Sequence, residues 1–222
     1  MKPVEIQVTY DFICPWCWIG HQNLKLATQR VNSEVAPRIS YSPYELNPDM
    51  PKAGVDRKAY RTAKFGSWSR SQSMDAEVAL VGKRVGLAFN YDAVAITPNT
   101  RLAHRLMAFA QRTGSATMVE GLFEAIFAAY FSRGENIGLI DVLAPLAASV
   151  GFDEKAVRDY LVSGEGEAEV IAEEMRASLS GVRSVPTIRI GDAMIGGAQP
   201  PAVMEQALQA ASAKTSAALE TL

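Results

Sequence analysis

Asp11-Phe12-Ile13-Cys14-Pro15-Trp16-Cys17-Trp18 is the stretch on which the fold turns. It holds both cysteines of the chain, three positions apart. Before it, Met1 to Tyr10 (MKPVEIQVTY) interleaves Glu5 and Gln7 among apolar residues, the alternation of a strand. After it, Leu24, Ala27 and Val31 recur at helical spacing and predict a helix from about Pro15 to Val31. Pro15 suits the first turn, where its missing amide would have had no intrahelical partner and its fixed φ favours the helical start. The cysteine pair therefore falls at a strand-to-helix junction.

Further along, Arg38 to Tyr44 places Ile39 and Tyr41 on one side of a short strand, completing a βαβ opening. From about Glu45 to Leu179 strand signals largely vanish, and helical stripes replace them. The stripes are Val78, Val81, Val85; Leu102, Leu106, Phe109; Leu122, Ile126, Tyr130 with Phe123 and Phe127 alongside; and Val142, Leu146, Val150. Thr97-Pro98-Asn99-Thr100, Arg112-Thr113-Gly114 and Gly151-Phe152-Asp153 punctuate them, as turns do in a helix bundle. After Gly181, Val185 to Ile190 and Ala193 to Ile195 flank Gly191-Asp192, which predicts a β-hairpin. A last helix opens at Pro200-Pro201, and its Ala/Ser-rich end from Ala210 is expected to fray. The order is βαβ, a helical block, then ββα.

Composition narrows the function classes. With 222 residues, 48% hydrophobic, 21% charged and a formal charge of -2, the chain has ample core and no electrostatic grip on polyanions. Nucleic acid is therefore not an expected partner. The amino terminus lacks a continuous apolar run, and no segment supplies the ~20 apolar residues that suit a bilayer. A membrane is not expected either, and the expected location is the cytoplasm. Two cysteines in a chain this long do not form the dense disulfide framework of a small secreted domain.

The ordered elements, with Cys-x-x-Cys after the first strand, resemble the thioredoxin fold, and the helical block resembles that of the DsbA family. Asp11 to Gly20 (DFICPWCWIG), Leu46-Asn47-Pro48, Asn99 to His104 (NTRLAH), Val185-Pro186-Thr187 and Gly197-Ala198-Gln199-Pro200 are similar to its FrnE-like branch. That branch is related to 2-hydroxychromene-2-carboxylate isomerases and kappa-class glutathione transferases. The resemblance implies an α/β fold: a thioredoxin-like core from residues 1–45 and 180–222, interrupted by an all-helical insertion over 46–179 whose last helix can pack on the core. It also implies a cis peptide before Pro186, in a loop facing the dithiol. Val185 would then offer its backbone to an extended substrate, and the Pro186 ring would keep metal ions from the thiols.

The chemistry has its own logic. A thiolate attacks a disulfide, and an ordinary cysteine with pKa ~8.5 is mostly protonated at neutral pH. The start of a helix, with its free amides and positive dipole end, favours an anion there by ~0.3–2 kcal/mol. Cys14 is the expected nucleophile, and Cys17, one turn inside the helix, the resolving thiol. Pro15, Trp16, Val185, Asn99, Thr100 and His104 are the expected substrate-binding residues, with Asn99 or Thr100 equally explicable as a helix N-cap. Trp16 stands where many DsbA-like oxidants carry histidine, so strong oxidising power is not implied.

The expected function is thiol–disulfide exchange with a disulfide- or dithiol-containing protein or small molecule. The alternatives are a glutathione-dependent isomerase or transferase of the related branch, whose members commonly carry serine at the position of Cys14, and a chaperone-like holdase. No tightly bound cofactor is expected, although the resemblance brings in glutathione as a co-substrate and leaves a homodimer open. Cys14, Cys17, His21 and His104 also form a nominal Cys2His2 set. Structural zinc usually clasps loops that depend on it, and this chain has core enough without it, so no metal site is expected.

Overall fold

Strand β1 (Val4–Tyr10) carries the sheet, with Val4, Ile6, Val8 and Tyr10 all buried. In the computed structural model, which describes residues 3–31 and 35–220, its last three residues are buried on both faces, as happens when a strand is flanked and covered on every side. Strand β2 (Pro37–Pro43) runs parallel to it, with Val8 opposite Tyr41. On its other side β5 (Thr187–Ile190) runs antiparallel, with Val8 opposite Ile188. A hairpin then adds β6 (Ala193–Gly196), for a sheet order of β2-β1-β5-β6. Helices α1 (Pro15–Arg30) and α9 (Pro201–Glu220) pack together, and α9 also contacts β1 and β5.

Between β2 and β5 come β3 (Val55–Asp56), α2 (Arg57–Phe65), α3 (Trp68–Arg84), a 3-10 turn at Tyr91–Ala93, β4 (Ile96–Thr97), α4 (Arg101–Thr113), α5 (Ala116–Phe131), α6 (Ile140–Ser149), α7 (Glu154–Ser163) and α8 (Glu167–Leu179). Their starts are written in local chemistry. The side chains of Asp56, Ser67, Ser115 and Asp153 each accept the amide of the residue three positions on, at 2.7, 3.2, 3.3 and 2.6 Å. Each such cap stabilises its helix by ~1 kcal/mol. Helices α4 and α8 border β2.

Aromatic rings join the insertion to the sheet. Phe123 of α5 lies 4.8 Å from Tyr10 and 4.5 Å from Tyr41, while Phe127 lies 4.9 Å from Phe12 and stacks on Trp18 at 6.0 Å. Pairs of this kind contribute ~0.5–1.5 kcal/mol each beyond simple burial. They hold the first turn of α1 against α5, which places the cysteines at the seam between sheet and helical block.

Several boundaries differ from the sequence reading. β1 starts at Val4, and Met1 and Lys2 lie outside the described residues. Val31 is the C-cap of α1 rather than its last turn. The insertion contains a small antiparallel pairing, Val55 with Thr97 and Asp56 with Ile96, too short to leave a period in the sequence. Helix α9 runs from Pro201 to Glu220, in keeping with the high helix propensity of its alanines.

Candidate active site at the start of helix α1

Cys14 is the N-cap of α1, with extended backbone at φ -94 and ψ 106. Its amide donates to the Asp11 carbonyl at 3.0 Å and its carbonyl accepts from the Cys17 amide at 3.0 Å, so the turn and the first helical bond share one residue. The two cysteines approach to 3.4 Å and are not bonded to each other. They differ in access: Cys14 is 6% exposed and Cys17 0%. Burial pushes the Cys17 thiol well above the usual range, and its hydrogen bond and proximity to Cys14 add to that, while a backbone hydrogen bond at Asp11 pulls weakly the other way.

The Cys14 thiol donates to the carbonyl of Val185 at 3.6 Å. The Val185–Pro186 peptide is cis. The loop is tied to the segment after β6 and, through that segment, to α1. The Gly197 amide donates to the Pro186 carbonyl at 2.8 Å, and Asn23 of α1 donates to the Gln199 carbonyl at 2.9 Å. Gly20 supplies the clearance, since a Cβ there would stand 3.1 Å from Cγ of Pro186.

Beneath the cysteines, Asp11 is fully buried. One carboxylate oxygen accepts from the Leu46 amide at 2.7 Å; the other lies 3.4 Å from the Ile13 amide and 3.4 Å from Nε2 of His104. His104 is itself buried, 5.1 Å from the Tyr10 ring and 5.4 Å from that of Phe12. Neighbouring Asn99 spans the loop before α4, donating to the Met50 carbonyl at 2.6 Å and accepting from the Arg101 amide at 2.9 Å. Thr100 holds the N-cap position, but Asn99 makes the side-chain bond.

A cavity of about 170 Å³ opens beside Cys14. Pro15 and Trp16 share its wall with Cys14, and Trp16 is 36% exposed. Arg57, Tyr60, Arg61, Lys64 and Phe65 of α2 form the facing wall. The expected binding residues thus separate into groups. Cys14, Pro15 and Trp16 line the cavity, and Val185 with Pro186 borders Cys14 through the loop. Asn99, Thr100 and His104 are not among the residues lining the cavity; Asn99 bridges the loop ahead of α4, and His104 meets Asp11. His21 faces Tyr41, its Nε2 3.0 Å from the hydroxyl. Among the described residues no three of His, Cys, Asp and Glu stand together as metal ligands.

The α2 wall was missed by reading the sequence. Its signal was present as Arg57, Arg61 and Lys64 at helical spacing, with Tyr60 among them and Phe65 next after Lys64. Nothing local, however, tells that this face meets Cys14.

A family model described as a DSBA-like thioredoxin domain matches residues 5–209. The chain belongs to the DSBA-like thioredoxin family. It is 27% identical over 211 residues to the uncharacterized protein YwbO of Bacillus subtilis, covering 92% of this chain and 96% of that one. A probable DsbA oxidoreductase, SCO1869 from Streptomyces coelicolor, superposes with a TM-score of 0.85 at 26% identity, covering 94% of this chain and 89% of that one. A 2-hydroxychromene-2-carboxylate isomerase shares the fold, with a TM-score of 0.68 at 17% identity over 97% and 98% of the two chains.

Proposed function

We propose that this member of the DSBA-like family is a thiol–disulfide oxidoreductase working through Cys14 and Cys17. The observation that carries the reading is a pair of thiols 3.4 Å apart, one at the mouth of a cavity and the other sealed beneath it. The Cys14 thiolate attacks one sulfur of a substrate disulfide, and the other sulfur departs as a thiolate that takes a proton from solvent. Cys17 then gives up its proton and attacks the Cys14 sulfur of the mixed disulfide, releasing the second substrate thiol. Two electrons pass from the dithiol to the substrate, and the reverse sequence oxidises a substrate dithiol.

The division of labour follows burial. A thiol held protonated inside the protein does not compete for substrate, yet it meets a neighbouring sulfur at contact distance. Val185 keeps its carbonyl on Cys14, where an extended substrate segment would replace that contact, and Trp16 supplies apolar surface at the rim. A protein or small-molecule disulfide serves as substrate, with glutathione as a co-substrate in solution. The intact second thiol favours this reading over isomerase chemistry, which does not require it.

The test is substitution. Cys17→Ser accumulates a covalent adduct between Cys14 and substrate, read by mass spectrometry, and Cys14→Ser reduces exchange to the uncatalysed rate. Exchange at the normal rate by the Cys14→Ser protein overturns the assignment.

A further inference from the structure

Arg57, Arg61 and Lys64 recur along one face of α2, and all three line the cavity that holds Cys14. Their charges are incompletely balanced. Asp75 of α3 takes both guanidinium groups, Arg57 at 2.7 Å and Arg61 at 2.9 Å. Lys64 rests on a neutral partner, the Tyr60 hydroxyl at 2.9 Å. One carboxylate thus faces three cations. Burial works against the Arg61 charge, Asp75 restores part of the loss, and the neighbouring Arg57 adds repulsion. The remaining wall is apolar, with Ile13, Leu46, Phe65, Met74 and Val78. A concave site with excess positive charge and apolar walls concentrates anions.

We propose that this cavity takes the carboxylate-bearing arm of a small anionic disulfide, and that Arg61 and Lys64 select it. The inference rests on Cys14 being the exchanging thiol. A volume of about 170 Å³ admits an arm of side-chain size rather than a folded segment, and the occupant proposed is the arm of a low-molecular-weight disulfide. With the carboxylate on Arg61 and Lys64, the disulfide of the same molecule is brought to Cys14 on the opposite wall. The retained half stays bonded to the Cys14 sulfur while the other half leaves as a thiolate. Asp75 spreads Arg57 and Arg61 and holds their forks in place, which is a positioning role.

Two measurements separate this proposal from the exchange reading. The first compares kcat/KM for glutathione disulfide, whose halves are anionic, bis(2-hydroxyethyl) disulfide, which is neutral, and cystamine, which is cationic. The wild-type protein should prefer them in that order, and added salt should compress the spread. The ratio of the anionic to the neutral substrate should fall about tenfold in an Arg61→Gln, Lys64→Gln double variant and return with Arg61→Lys, Lys64→Arg. The second is calorimetric binding of S-methylglutathione, which cannot exchange. It should bind the reduced wild-type protein and bind the double glutamine variant about tenfold more weakly. Equal binding by both, no binding by the wild type, or an unchanged substrate ratio overturns the proposal, including where protein disulfides are exchanged. Failure to exchange any of the three disulfides, with S-methylglutathione binding intact, counts against the dithiol reading and not against anion binding in the cavity.

Discussion

At the scale of single residues, the site depends on polar groups that have no water to fall back on. Asp11 is fully buried, accepts from the Leu46 amide and faces His104. Replacing it by leucine strands the buried Leu46 amide and removes the polar neighbour of His104, and leaving a buried polar group unsatisfied costs about 1–3 kcal/mol. Asp11→Asn keeps an acceptor for Leu46, so urea denaturation should show a clearly smaller loss for Asn than for Leu. His21 is the pH-sensitive member of the core. Burial pushes its pKa down to about 3, with the nearby Lys25 charge adding to the effect. The folded chain therefore holds this imidazole neutral while the unfolded chain takes up its proton near pH ~6.5. The stabilisation is complete above the unfolded value and is lost as pH falls from there towards about 3, with a slope approaching ~1.4 kcal/mol per pH unit. His21→Phe should flatten that slope in urea titrations between pH 6 and 4, even though it leaves the Tyr41 hydroxyl without its partner. The spacing of the cysteine pair at a strand-to-helix junction was legible in the sequence because it is local, whereas the cis peptide before Pro186 was implied only by the family resemblance. The partners of Asp11 lie at Leu46 and His104, far along the chain, and no periodicity announces a contact between distant residues.

At the scale of elements, helix α4 supplies the edge of the sheet with a partner it would otherwise lack. The Gln111 side chain accepts from the Tyr41 amide at 2.7 Å and donates to the Tyr41 carbonyl at 2.9 Å, imitating the next strand along β2. Edge strands with open backbone groups invite pairing with other chains. Gln111→Ala should cost about 1–3 kcal/mol in urea denaturation and raise the propensity to aggregate on heating. An undiminished stability in that variant means that water satisfies Tyr41 as well as glutamine does. The long elements were readable from their apolar stripes: α5 buries Leu122, Phe123, Ile126, Phe127 and Tyr130 as its spacing requires. The β3–β4 pairing was not, since two residues per strand carry no alternation to detect.

At the scale of the whole molecule, the fold sets two thiols at the seam where sheet, helical insertion and the Pro186 loop meet. Element order with Cys-x-x-Cys after the first strand resembles the thioredoxin fold, and that resemblance implied the arrangement. The cationic wall of the cavity was not foreseeable, since α2 reaches Cys14 only through the packing of the insertion on the core. The central claim is that the buried Cys17 resolves what Cys14 begins. It is tested most directly by equilibrating the reduced protein with glutathione disulfide, quenching with acid, and mapping the products by mass spectrometry. The account predicts one dominant product, an internal Cys14–Cys17 disulfide, recognised by the loss of two hydrogens and a cross-linked peptide. A protein left as two free thiols, or carrying glutathione on Cys14 without closing the bridge, would contradict it.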